Sequence, residues 1–195
     1  FTILAKKAEL PLVTTKVLET LIMKIQMALV MGVVLTLPFV FYFLWSFVSP
    51  GLYKREKKWI LPLVIAATAC FFIGVAVAYF FVIPMVLLFL KNFIPPDIMP
   101  MITIGNFIGT ILKFIILFGV IFQMPLISFV LAKIGIIKYT LMTKYRKYAI
   151  VGIFVIGAVL TPPDPLTQIL MAIPLLLLYE ISILVARIAG RNTLL

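Results

Sequence analysis

Long apolar runs separated by short joints rich in proline and basic residues set the pattern of this 195-residue chain. A helix crossing the ~30 Å hydrocarbon core of a bilayer needs ~20 apolar residues. The pattern predicts five spans, over 25–47, 59–90, 104–132, 148–160 and 166–186, within one transmembrane domain covering 1–195. Residues 1–24 form a preceding segment, amphipathic over 16–24 and expected on the outer side. The joints are chemically distinct. Ser49-Pro50-Gly51 stops the first span, because proline lacks a donor and glycine relaxes the turn. Pro95-Pro96 and Pro100 bound the second connection, Gly135 ends the third span, and Thr161-Pro162-Pro163-Asp164-Pro165 is a tight turn. The fourth span, at ~20 Å, is short for the bilayer. It implies local thinning, a helix that extends past Leu160, or one that starts within 144–147.

Composition agrees: 65% of residues are hydrophobic, more than a soluble core and its polar coat accommodate. The fold class is therefore an all-α polytopic membrane helix bundle. The charged residues are few but unbalanced, 17 basic against 6 acidic. The basic residues lie in clusters between apolar runs, without aromatic interleaving on a polar surface, a pattern for lipid headgroups and orientation and not for nucleic acid. Lys54, Arg55, Lys57 and Lys58 follow the first span, Lys133, Lys138, Lys144, Arg146 and Lys147 the third, and Arg187 and Arg191 the fifth. The alternate connections hold only Lys91. By the positive-inside rule, loops 48–58 and 133–147 and the C-terminus are expected in the cytoplasm. The basic N-terminal segment then falls outside, so an earlier helix is expected, giving six spans in the full protein.

Histidine is absent and Cys70 is the single cysteine, which leaves no His-based metal site, catalytic triad or internal disulfide. No cofactor or enzymatic activity is expected. Polar groups inside lipid are functional candidates. Gln123, two residues before Pro125, is read either as an interhelical hydrogen bond or as a functional amide. Lys113 is expected to snorkel outward, and Glu180 to pair with a cytoplasmic-side cation such as Arg187. Glu56, alone among the basic residues of its loop, is either a solvated side chain or a carboxylate awaiting a guanidinium. Asp164 closes an Asx turn or caps the helix near Leu166, and Gly105 with Gly109 forms a weak GxxxG motif.

Several segments in this order resemble the TatC family. They are Phe47-Val48-Ser49-Pro50-Gly51-Leu52-Tyr53-Lys54-Arg55-Glu56-Lys57 after a helix containing Pro38, Ala78-Tyr79-Phe80-Phe81-Val82-Ile83-Pro84, and Phe122-Gln123-Met124-Pro125. Leu160-Thr161-Pro162-Pro163-Asp164-Pro165, Thr167-Gln168 and Pro174-Leu175-Leu176-Leu177-Leu178-Tyr179-Glu180-Ile181 complete the match. The resemblance implies a six-helix, glove-shaped receptor subunit of the twin-arginine translocase in the inner membrane, exporting folded proteins with the proton-motive force. It implies TatA- and TatB-type single-span partners, twin-arginine signal peptides as ligands, the lipid bilayer as surroundings, and a homo-oligomeric complex. By position, Glu56 matches the carboxylate that meets the signal-peptide arginines, with Phe47, Pro50 and Tyr53 around it. Gln123 sits where many members carry an intramembrane glutamate that contacts the single-span partners, and Asp164 and Gln168 match the outer-turn landmark. Glutamine at 123 removes any titratable proton from that position. A solute transporter is the alternative, but no internal repeat is evident. An intramembrane protease would need metal ligands or facing carboxylates that the chain lacks.

Overall fold

A computed structural model of the chain describes residues 12–13, 17–48, 60–93, 102–160 and 165–191. Strand β1 (Leu12–Val13) precedes helix α1 (Val17–Val48). Helix α2 (Ile60–Val77) runs through a π turn (Ala78–Val82) into α3 (Ile83–Phe93). Strand β2 (Ile102–Thr103) leads into α4 (Ile104–Ile121), which is followed by α5 (Met124–Lys133) and the short α6 (Tyr139–Lys144). Helices α7 (Arg146–Leu160) and α8 (Pro165–Arg191) complete the bundle. The strands pair in parallel, Leu12 with Ile102 and Val13 with Thr103. A two-residue ladder leaves no period-two pattern to read, and the sequence does not predict it.

Among the described residues, four helices are long and apolar enough to cross a membrane: 18–47, 61–88, 104–133 and 168–190. The chain is thus a polytopic helical membrane protein. Helix α7 has 15 residues, about 22 Å by its rise, and begins at Arg146, within the basic cluster. Residues 17–24 are not a separate amphipathic segment. They are the first turns of α1, which runs on unbroken because no proline or glycine interrupts the chain between Val17 and Met31. The fifth span likewise extends past 186 to Arg191, and α6 forms inside what the sequence reads as a loop.

Prolines explain the irregular turns. Pro84 has no N–H for the carbonyl of Phe80, and its ring would crowd that oxygen. The preceding turn widens, so that the N–H of Ile83 reaches back five residues to Ala78 O. Gly135, at φ +82°, closes α5 in the left-handed region that glycine adopts without strain.

The principal core joins α2, the π turn and α3 to α4 and α8, around Phe118, Ile111, Ile83 and Met171. Helices α2 and α4 cross at two glycines. A Cβ on Gly74 would lie 2.6 Å from the main-chain oxygen of Phe118. One on Gly119 would enter the ring of Phe71. The sequence reading placed close approach at Gly105 and Gly109 instead. Gly105 is indeed crowded, but by the Glu19 side chain, whose Oε1 accepts the Gly105 N–H at 3.0 Å. Gly109 faces open space. Small residues also set the α5–α8 contact, through Ala132, Ala186 and Ala189. By contrast, Trp45 is the one buried side chain among the described residues of α1.

Glu180 pairs with Arg146, Oε2 to Nη2 at 2.9 Å, and not with Arg187. Seven residues along one helix separate Glu180 from Arg187 by about 10 Å, whereas α7 begins beside Glu180. Arg187 lies 5.7 Å over the ring of Tyr139, and the hydroxyl of Tyr179 donates to Met142 O at 2.8 Å. These contacts hold α6 against α8.

The glycine crossing yields a direct test. Gly119→Ala and Gly74→Ala are expected to lower stability by about 1–3 kcal/mol through overpacking. Gly109→Ala is expected to stay within about 0.5 kcal/mol. Reversible unfolding in mixed micelles measures all three, and equal effects at the three positions would refute the assigned crossing.

Candidate functional site

Two features bring the readable site residues together: the end of α1 and the break between α4 and α5. Trp45 anchors the last turns of α1 in a cluster with Val64 and Ala67 of α2 and Leu126 and Val130 of α5. Trp45 is 7% exposed, and its indole Nε1 has no hydrogen-bond partner among the described residues. Two residues on, Phe47 is 86% exposed. The helix end is therefore pinned by one aromatic ring while the next is presented at the entry to loop 48–58. Pro50, Tyr53 and Glu56 lie outside the described residues, as does Asp164.

The break at 122–123 follows from Pro125, which denies a donor to the carbonyl of Ile121. The main-chain N–H of Gln123 turns to Val120 O at 3.0 Å. Its side-chain amide lies 3.5 Å from Gly119 O, the carbonyl that this N–H would meet in a continuous α-helix, and donates to Ala67 O of α2 at 3.0 Å. Gln123 is 8% exposed. Of the two readings the sequence left open, the interhelical hydrogen bond is present. Ala67 is itself fully buried and belongs to the Trp45 cluster, so Trp45 and Gln123 meet at the same residue of α2.

Gln168 stands apart from this pair. Its Nε2 donates to Phe154 O at 2.7 Å, and its Cγ would sit 3.3 Å from a Cβ on Gly157. It staples α8 to α7. Sequence reasoning missed Trp45, although an aromatic with a polar edge near the end of an apolar run is a recognisable signal for an interfacial anchor. Among the described residues no group of three or more His, Cys, Asp or Glu is placed to hold a metal ion.

Removing the amide tests its role at the break. Gln123→Leu is expected to lower stability by about 0.6–1.7 kcal/mol, the range for a hydrogen bond between membrane helices, with Ala67 O left without the side-chain donor. Unfolding in mixed micelles reads the loss, and a leucine variant at least as stable as the parent would remove the bond from any structural role.

The family model for Sec-independent protein translocase protein (TatC) matches residues 1–174. The Sec-independent protein translocase protein TatC of Carboxydothermus hydrogenoformans is 40% identical over 180 residues, covering 92% of this chain and 74% of that protein. Its counterpart from Desulforapulum autotrophicum is 41% identical over 168 residues, covering 86% of this chain and 62% of that one. A crystal structure described as the twin arginine translocase receptor TatC superposes with a TM-score of 0.86 at 38% identity, over 97% of this chain and 85% of that one. Sequence and fold agree over nearly the whole length, and the chain belongs to the TatC family of Sec-independent protein translocase proteins.

Proposed function

We propose that the chain is the signal-peptide receptor and core subunit of a twin-arginine translocase, a binding and assembly protein and not a catalyst. Membership of the TatC family carries this reading. Folded proteins bearing a twin-arginine signal peptide are the cargo, and the proton-motive force drives their export. In this reading loops 48–58 and 133–147 and the C-terminus face the cytoplasm, across the inner membrane. The exposed Lys138, Lys144, Arg146 and Lys147 support that orientation, because all belong to one end of the bundle.

Glu56 is the carboxylate that receives the signal-peptide guanidinium groups, with Phe47, Pro50 and Tyr53 shaping the loop around it. A carboxylate accepts a guanidinium through two parallel hydrogen bonds, which selects arginine over lysine. The exposure of Phe47 supports its contact with a ligand. TatA- and TatB-type single-span proteins are the partners, in a complex that holds more than one copy of this chain. Gln123 marks the intramembrane contact with those partners. Because its amide is buried and bonded to Ala67 O, the contact surface itself is supplied by its exposed neighbours Val120, Met124 and Ile127, and Gln123 sets the backbone that presents them. Asp164 and Gln168 keep the outer turn in shape.

Cross-linking of a twin-arginine peptide in membrane vesicles tests the receptor site. Glu56→Ala and Glu56→Gln are each expected to lower capture about tenfold or more, the loss of a charge-assisted hydrogen bond. A twin-lysine peptide is expected to be captured poorly by the parent protein. Undiminished capture by both variants would remove Glu56 from the site.

A further inference from the structure

Helices α6 and α7 form one nearly continuous path whose outer ridge passes from basic to aromatic to apolar. The N–H of Tyr145 bonds to Leu141 O at 3.0 Å and that of Ala149 to Tyr145 O at 3.1 Å, so the helical course continues through the joint. Lys144, Lys147, Tyr148, Val151 and Val155 are all exposed, and steps of three and four place them on one ridge. Nζ of Lys147 lies 5.5 Å over the ring of Tyr148, whose centroid is 5.8 Å from that of Tyr145. Two other contacts tie α7 to α8, Arg146 to Glu180 and Gln168 to Phe154 O. They hold α7 alongside a helix long and apolar enough to span the membrane, so the exposed valines of its ridge face lipid.

Charge at this end of the bundle is only partly matched. Among the described residues the acids are Glu19, near the start of α1, and Glu180. Glu180 holds Arg146 at 2.9 Å, while Arg187 lies over the ring of Tyr139 and Lys133 over that of Phe129. Lys144 and Lys147 have no carboxylate partner among the described residues. Two ammonium groups about one helical turn apart are thus left on the outer ridge. Tyrosine is enriched at the headgroup level of membrane proteins, and Tyr148 stands where the basic part of the ridge gives way to the apolar part. Lys138 is also exposed, but it precedes the first turn of α6 in an extended conformation. Its separation from Lys144 matches no helical repeat, which leaves it off the ridge.

Cations, then an aromatic ring, then apolar surface along a membrane helix complement a phosphodiester attached to acyl chains. We propose that this ridge seats an anionic glycerophospholipid, with its phosphate between Lys144 and Lys147, its ester region beside Tyr148 and an acyl chain along Val151 and Val155. A phosphoglycerol headgroup leaves the phosphate charge uncompensated, whereas phosphocholine carries a cation of its own that the two lysines repel. The positive-inside rule asks only for basic charge on one side of the membrane. A lipid seat requires particular lysines on one ridge, and the off-ridge Lys138 separates the two cases. The inference needs α7 to lie in the bilayer but does not depend on which side is cytoplasmic, so it stands apart from the receptor role.

Native mass spectrometry of the full, delipidated chain tests it. Lipids with identical acyl chains and phosphoglycerol or phosphocholine headgroups are added in turn. The phosphoglycerol lipid is expected to be retained about tenfold better, the scale of two basic residues acting on one anionic headgroup. Lys144→Gln and Lys147→Gln are each expected to lower its retention about fivefold, and Lys138→Gln less than about twofold. Equal retention of the two lipids by the parent chain would overturn the proposal, as would normal retention by the variant carrying both Lys144→Gln and Lys147→Gln. A loss in Lys138→Gln as large as in the ridge variants would also overturn it, in favour of diffuse attraction. Displacement of the lipid by equimolar soluble glycerophosphoglycerol would do the same, in favour of a soluble anion. All three lysines are exposed, so the variants keep the fold, and an unchanged unfolding midpoint verifies that.

Discussion

Hydrocarbon supplies no water to pair with an exposed main-chain group, so every backbone donor and acceptor within the bilayer must find its partner in the protein. That constraint is tightest where Pro125 interrupts the α4–α5 span. The amide of Gln123 answers it, donating to Ala67 O of the neighbouring helix and lying beside the Gly119 carbonyl. One side chain thus closes a helix break and ties two spans. Below the break, α5 packs on α8 through alanines. Above it, Gly74 and Gly119 let α2 and α4 approach closely enough for the side-chain amide to reach across.

The same solvent governs charge. Arg146 finds Glu180, and Arg187 lies over the ring of Tyr139, all at the end of the bundle where α7 starts and α8 ends. Their side chains are solvent-accessible, so the ion pair contributes little to stability. In the proposed topology the position of this basic end matters more, because clustered positive charge favours the cytoplasmic side. Lys113 stands apart from this end, exposed on α4. Trp45 connects the two themes: it fixes the end of α1 against Ala67, the residue that Gln123 holds, and leaves Phe47 free at the mouth of the proposed recognition loop.

Much of this was legible in the chain itself. Apolar run lengths announced four helices able to cross a membrane, Gly135 announced its turn, and the fourth apolar run forms a 15-residue helix. The landmark residues Gln123 and Gln168 fall where hydrogen bonds between helices are made. Three features were not legible, each for a physical reason. The crossing glycines could not be told from Gly105 and Gly109, because spacing along one helix does not say which face meets a neighbour. The partner of Glu180 depended on where α7 begins, a tertiary fact. The continuity of α1 through 17–24 was masked by its polar residues, which change amphipathicity without breaking a helix.

The account rests on the direction in which the helices thread the membrane, because the proposed receptor role of residues 48–58 requires them to face the cytoplasm. Thiol labelling with a membrane-impermeant maleimide measures that direction most directly, in a Cys70→Ser background carrying either Lys57→Cys or Asn92→Cys. The proposed topology predicts that Asn92→Cys reacts in intact cells, while Lys57→Cys reacts only once the cytoplasmic face is opened. Reaction of Lys57→Cys from outside intact cells would contradict it.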